Sequence, residues 1–331
     1  MDLPPTGHDP IMVPEIIDWL RPAPGKVIVD CTLGRGGHSS AIAPLLQPGG
    51  TLIGLDYDPR NLEYAGERLK GLGLGASGLG EENVPSSPQA PSPEPQAPLP
   101  FRLFHANFAE IEDALEAAGI EQVDGILADL GISTNQLFEE TYGLSFTNNV
   151  PLDMRLDPRQ SLSARTIINA WPEQKIADLL YQLADERFSR RIARKIVEVR
   201  RGSPINTTEH LADLVRSCIP PSRVRDRSVA IDPATRTFLA LRMAVNGEMD
   251  NLDQLLAVSP KLLRPGGRIA ILTFHSTEDR RVKQAFRSAE QTGQLKVLTS
   301  RPLTPSESEI SANPRSRSAK LRVAEKFGLG A

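Results

Sequence analysis

"VIVDCTLGRGGHSS" (Val27–Ser40) is the stretch on which the fold turns. An apolar run ends on an acid, Asp30, passes three glycines and continues as "AIAPLL", which reads as a helix. A strand followed by Gly34-x-Gly36-Gly37 can bring backbone N–H groups close to a ligand, because glycine has no Cβ in the way. Asp56 ends the next apolar run, about twenty residues beyond the turn, where an acid can accept ribose hydroxyls.

Those features are shared by sheets that bind NAD and sheets that bind S-adenosylmethionine. The dinucleotide pattern G-x-G-x-x-G is absent, since Ser39 stands where its last glycine would fall. Asp30 suits the methyltransferase version, in which an acid faces the positive methionine end of the cofactor. A structural turn, with Asp56 as a helix cap, is the plainer alternative.

Working outward, Val27–Cys31, Thr51–Asp56, Phe101–His105 and Val123–Leu130 are short apolar runs separated by helical patterns. That alternation predicts a doubly wound, Rossmann-like α/β sheet with parallel strands. "RPGGRIAILTFHS" (Arg264–Ser276) reads as a further strand of the same sheet. The gap before it is far longer than a plain crossover, which implies an insertion. Within that gap Ile176, Leu179, Leu180 and Leu183, then Phe188, Ile192, Ile196 and Val199, recur at helical spacing. The expected organisation is a core over 1–137 and 237–331, with an inserted all-helical substrate-recognition domain over 138–236. Gly71–Pro100, rich in glycine and then proline, is expected to be a disordered insertion within the core.

The formal net charge of −3 hides a strong asymmetry: Arg187–Arg236 holds twelve Lys and Arg against five Asp and Glu. A polyanionic partner for that region follows. Arg191 and Arg194 lie on the arginine-rich helix, and "NPRSRSAKLR" adds Arg315, Arg317, Lys320 and Arg322; both are expected to meet phosphates rather than read bases. No apolar stretch approaches bilayer-spanning length, and the opening "MDLPPTGHDP" is unlike a signal or transit peptide, so the expected location is cytoplasmic. Cys31 and Cys218 form no disulfide framework, and no zinc or iron ligand spacing is visible.

Eight segments then occur in order: "HDPIMVPE", "DCTLGRGGHS", "DGILADLGISTNQL", "GLSFTNNVPLDMRLD", "ERFSRRIARKIV", "DPATRTFLALRMAVN", "PGGRIAILTFHSTEDRRVK" and "NPRSRSAKLRVAEK". Together they closely resemble the bacterial 16S ribosomal RNA cytosine-N4 methyltransferase (MraW or RsmH) family, from about His8 to Lys326. The resemblance implies an S-adenosylmethionine-dependent enzyme acting on 16S rRNA of the small ribosomal subunit. It implies cofactor contacts from Gly36, Gly37 and His38, a ribose contact from Asp56, and Phe108 beside the adenine. Asp129 and Gln136 would complete that site. The family pattern is varied at Ile132–Asn135 and at Leu144.

An acceptor for one N4 hydrogen would favour attack by that amine, and Asp129, at a strand end, is the candidate catalytic residue, directly or through the neighbouring backbone carbonyl of Leu130. Its competing role is to orient the cofactor. A flipped cytosine could meet Phe146 and Met154 as apolar surface, with Asp153 and Arg155 as polar readers. Ordinary core packing is the alternative for Phe146 and Met154. His275 could touch substrate or be structural. No DNA partner is expected, and a homo-oligomer is compatible with the sequence. Three rival readings are a dinucleotide-dependent oxidoreductase, which lacks its third glycine, a non-catalytic RNA-binding or ribosome assembly factor, and a methyltransferase for DNA or small-molecule amines, whose small-molecule version the basic helical insert weakens.

Overall fold

The computed structural model describes residues 10–73, 100–220 and 232–328. Residues 74–99 of the expected disordered insertion lie outside the described residues, as do His8 and the basic residues Arg223, Arg225 and Arg227. The chain divides into two compact units, residues 1–131 with 251–331, and residues 132–250.

The first unit is built on a sheet of order β3-β2-β1-β4-β5-β7-β6. Its elements are α1 (Val13–Leu20), β1 (Val27–Asp30), α2 (Gly37–Ile42), β2 (Thr51–Asp56), α3 (Pro59–Lys70), β3 (Phe101–His105), α4 (Ile111–Ala118) and β4 (Val123–Asp129). The second unit carries α5 (Thr134–Phe138), α6 (Ala164–Ala170), α7 (Glu173–Ala184), α8 (Ser189–Arg200), α9 (Thr208–Cys218) and α10 (Thr235–Val245). α11 (Glu248–Leu262) leads back to β5 (Leu263–Thr273), α12 (Ser276–Gln291), β6 (Leu295–Val297), α13 (Glu307–Ala312) and β7 (Lys320–Lys326).

β1 to β5 run parallel, and the strand order reverses between β1 and β4. In such sheets ligands bind outside the carboxyl ends of the strands, at that reversal. Asp30 and Asp129 end the two strands that flank it, and Asp56 ends β2. β7 pairs antiparallel with β5 on one side and with β6 on the other. The expected basic tail is therefore partly a strand inside the sheet. Arg322 is buried there, bonded at 2.6 Å to Asp279 of α12.

Ile11, Met12, Ile16 and Leu20 pack with Leu127, Leu272, Leu321 and Val323 in one buried cluster. Each such side chain stabilises the fold by roughly 1.5–3 kcal/mol. Met12 N also donates to Glu309 Oε1 at 2.7 Å, so residues some three hundred positions apart are tied together.

The helical unit extends to 250 rather than 236 because α10 packs on α7 and α6, and its residues Phe238, Leu241 and Met243 are buried. α8 buries Ile192, Ala193 and Ile196, as its periodicity predicts. Among the described residues no helix is long and apolar enough to cross a membrane.

Candidate active site

The turn after β1 is held from both sides. Gly34 N donates to Asp56 Oδ2 at 2.8 Å, joining it to the end of β2. Asp56 Oδ1 accepts from Asp58 N at 2.8 Å, and Asn61 Nδ2 lies 3.3 Å from both carboxylate oxygens. Burial pushes the Asp56 carboxyl up to about 7, against the bonds from Asp58, Gly34 and Asn61 that favour its ionised form. Each Asp56 oxygen therefore already accepts a backbone N–H group.

The three glycines have different reasons to be glycine. Gly34 sits at φ 52°, in the left-handed region that favours glycine, and a Cβ there would lie 3.9 Å from the carbonyl oxygen of Thr32. Gly36 sits at φ 74°, and a Cβ there would lie 3.3 Å from Ala65 Cβ. At Gly37 a Cβ would come within 3.1 Å of Pro10. For Gly36 and Gly37 the space where a Cβ would stand is filled by the protein itself, which gives each a packing reason to be glycine. Ser39, where a dinucleotide turn needs glycine, donates its hydroxyl to Asp30 Oδ2 at 2.6 Å. Asp30 also accepts from Thr32 N, but burial dominates and raises its carboxyl above the ordinary value. Burial and the adjoining Asp30 raise the Cys31 thiol well above its usual range, which makes it an inert thiol.

His38 and Asp129 meet across the strand reversal. His38 Nε2 lies 2.9 Å from the carbonyl oxygen of Ile11, which can only accept, so Nε2 carries hydrogen. Nδ1 then faces Asp129 Oδ2 at 3.6 Å. Burial pushes Asp129 up to about 6, His38 opposes the rise, and the carboxyls of Asp30 and Glu278 add to it. Asp129 N donates to Thr32 Oγ1 at 2.6 Å. Asp129 Oδ1, however, is buried with no hydrogen-bond partner among the described residues. A buried acceptor left over in this way calls for a donor from outside the chain.

Phe108 is buried at the start of a short 3-10 turn past β3, fixed by an Asn107–Glu110 capping box. Gln136 belongs to the helical unit, where Ser133 and Gln136 cap α5 reciprocally at 3.1 and 3.2 Å. Met154 is fully buried at φ 66°, donating to Tyr142 O and accepting from Asn246 Nδ2. It is core, not surface, which corrects its assignment to a base pocket. Asp153 and Arg155 form a two-pronged pair at 2.7 and 2.8 Å, whose hydrogen bonds hold Asp153 below the usual carboxylate range. Phe146 meets Phe238 edge to face at 4.8 Å. His275 caps α12, with Nδ1 accepting from Glu278 N and Nε2 lying 2.8 Å from Glu278 Oε1. Arg191 and Arg194 are exposed on α8. Arg200, on the same helix, instead donates to the carbonyls of Ile168 and Trp171 at the end of α6.

Sequence reasoning missed the Ile11 carbonyl, Thr32, Asn61 and Glu278 as parts of this site. Their roles depend on contacts between distant segments, and only Asn61, five residues after Asp56, had a local signal.

The family model described as the MraW methylase family matches residues 5–74 and 94–327. The chain belongs to the MraW methylase family. It is 45% identical over 320 residues to ribosomal RNA small subunit methyltransferase H of Acidobacterium capsulatum, covering 96% of this chain and 98% of the relative. The enzyme of the same name from Thermotoga neapolitana is 42% identical over 320 residues, with 96% and 95% covered. That of Syntrophotalea carbinolica is 42% identical over 331 residues, with 96% of each covered. This member of the MraW methylase family is a methyltransferase, and its methyl donor is S-adenosyl-L-methionine. The residues present fit that donor: the left-handed turn at Gly34 and the acids Asp30 and Asp56 lie at or just past the ends of β1 and β2.

Proposed function

We propose that this chain methylates the N4 amine of a cytidine in 16S rRNA of the small ribosomal subunit. The observation that supports the chemistry best is the buried, unpartnered Asp129 Oδ1, with His38 behind the same carboxyl. When bound, S-adenosylmethionine supplies an electrophilic methyl group on a sulfonium. The N4 lone pair is delocalised into the cytosine ring, so the amine needs help to attack. Asp129 Oδ1 accepts one N4 hydrogen, favours the pyramidal nitrogen and takes the proton it sheds. A carboxyl raised to about 6 is a stronger base than an ordinary aspartate yet is still mostly ionised at neutral pH. Holding the nitrogen in line with the methyl group contributes several further kcal/mol.

The helical unit is the RNA-binding part in this reading. Arg187, Arg190, Arg191 and Arg194 are exposed around α8 and suit backbone phosphates. The place of action is the cytoplasm, where small subunits are assembled. The test is transfer of labelled methyl groups to unmethylated small subunits, followed by nucleoside mass spectrometry, beside Asp129→Ala. N4-methylcytidine from wild type alone, with matching cofactor affinity in both proteins, supports the reading. Cofactor binding without methylated cytidine on competent subunits overturns it in favour of a non-catalytic RNA-binding factor.

A further inference from the structure

A cavity of about 290 Å³ lies between α12 and the β6–β7 edge of the sheet, lined by Lys283, Arg287, Glu290, Ser300 and Arg322 among others. None of its lining residues belongs to the strand-end site, although Arg322 is bonded to Asp279, which follows Glu278 in the first turn of α12.

The charge in this cavity is unbalanced. The Arg322 side chain is only 7% exposed, and its sole hydrogen bond among the described residues runs from Nε to Asp279 Oδ1. The residue lines the cavity, and its terminal amino groups make no hydrogen bond among the described residues. Lys283 and Arg287 stand one helical turn apart, so that two like charges are neighbours, and neither has an ion pair among the described residues. The lining carboxylate of Glu290 accepts from Val297 N at 2.9 Å. Asp279 is shared between Arg322 and Lys320. Nearly buried guanidinium donors without acceptors, flanked by two unpaired cations, are a receptor for a tetrahedral oxyanion.

We propose that this cavity binds a backbone phosphate of the RNA substrate, with Arg322 as the inner donor and Lys283 and Arg287 as the outer ones. The proposal rests on the RNA-methylating reading above and adds a second anchoring point outside the helical unit. Such a contact positions the strand and carries no sequence information.

The test compares wild type with the Lys283→Ala/Arg287→Ala double variant, using unmethylated small subunits over a series of KCl concentrations. Losing that one phosphate contact should make the slope of log affinity against log salt shallower by about 0.7 to 0.9. The apparent KM for subunits should rise while kcat at saturation stays put. Arg322→Lys, which keeps the charge but loses the fork, should weaken binding at low salt and leave cofactor affinity unchanged. An unchanged slope and KM in the double variant overturns the proposal. Inorganic phosphate bound by wild type but not by the variant, with the RNA slope unmoved, also overturns it and assigns the cavity to a small phosphate. The binding arm needs no methyl transfer, so wild type that binds subunits but makes no N4-methylcytidine refutes the proposed activity alone.

Discussion

Lowering the pH from 7 to 5 should slow methyl transfer about tenfold, well before an ordinary aspartate would take up a proton. The reasoning starts from the Asp129 carboxyl, buried beside Asp30 and Glu278 and raised to about 6. Such a group is about nine-tenths ionised at pH 7 and about one-tenth ionised at pH 5, and only the ionised form can accept the N4 proton. At the unperturbed value it would stay about nine-tenths ionised at pH 5, and the rate would barely change. The assay is a single turnover at saturating S-adenosylmethionine, quenched and read as N4-methylcytidine. Saturation matters because Asp56, raised to about 7, also gains a proton over this range, and its proposed contact with the ribose would weaken. Circular dichroism at pH 5 checks that the fold persists. Asp129→Asn should lose about a hundredfold or more at pH 7.5 and show no acid limb near 6. His38→Gln removes the neighbour that holds the carboxyl down and should move the limb to higher pH. A rate flat from pH 7 to 5, or an identical limb in Asp129→Asn, refutes Asp129 as the acceptor.

Gly37→Ala places a methyl group 3.1 Å from Pro10 and should cost about 1–3 kcal/mol in urea unfolding. A neutral result would show that residues 10–12 are not packed tightly on the turn. Because folding raises Asp56 from 3.8 to about 7, its stabilising contribution is full below pH 4 and lost as pH rises through 7. Wild type should therefore lose on the order of 4 kcal/mol relative to Asp56→Asn between pH 4 and pH 8, measured by paired denaturant titrations. Arg200→Met, which uncaps α6, should lower stability by about 1–3 kcal/mol and leave the salt dependence of RNA binding unchanged. Arg191→Ala/Arg194→Ala should do the reverse, with little change in stability and a shallower salt slope.

The parallel strands could be read from sequence because each is a continuous apolar run bounded by turn residues. β2 and β3 match their expected bounds to the residue. β7 could not be read so, because Lys320, Arg322 and Glu325 alternate with its apolar residues and resemble a solvated tail. What makes them tolerable inside a sheet is Asp279 for the first two and Arg268 for Glu325, both more than forty residues away in sequence. The boundary expected at 236 falls inside α10 for a related reason. Helical periodicity gives a buried face but not the element that covers it. In the active site the acids at strand ends were readable from position, and Ser39 was noticed only as a missing glycine. Its bond to Asp30 supplies the reason for serine there. The left-handed backbone at Met154 has no sequence signal, since methionine does not favour it.

The sheet's order has a consequence for how the molecule comes together in time. Residues 132–250 are contiguous and can gather their helices by local contacts alone. The sheet has no such freedom, because β5 presents a bare edge until residues 320–326 arrive to pair with it. The cluster that seals α1 over the strands likewise draws on Leu321 and Val323, so an early segment waits on a very late one. During synthesis, then, the helical part ripens first while the catalytic half stays open at one side. That open edge is where a helper protein, or another unfinished chain, would first take hold.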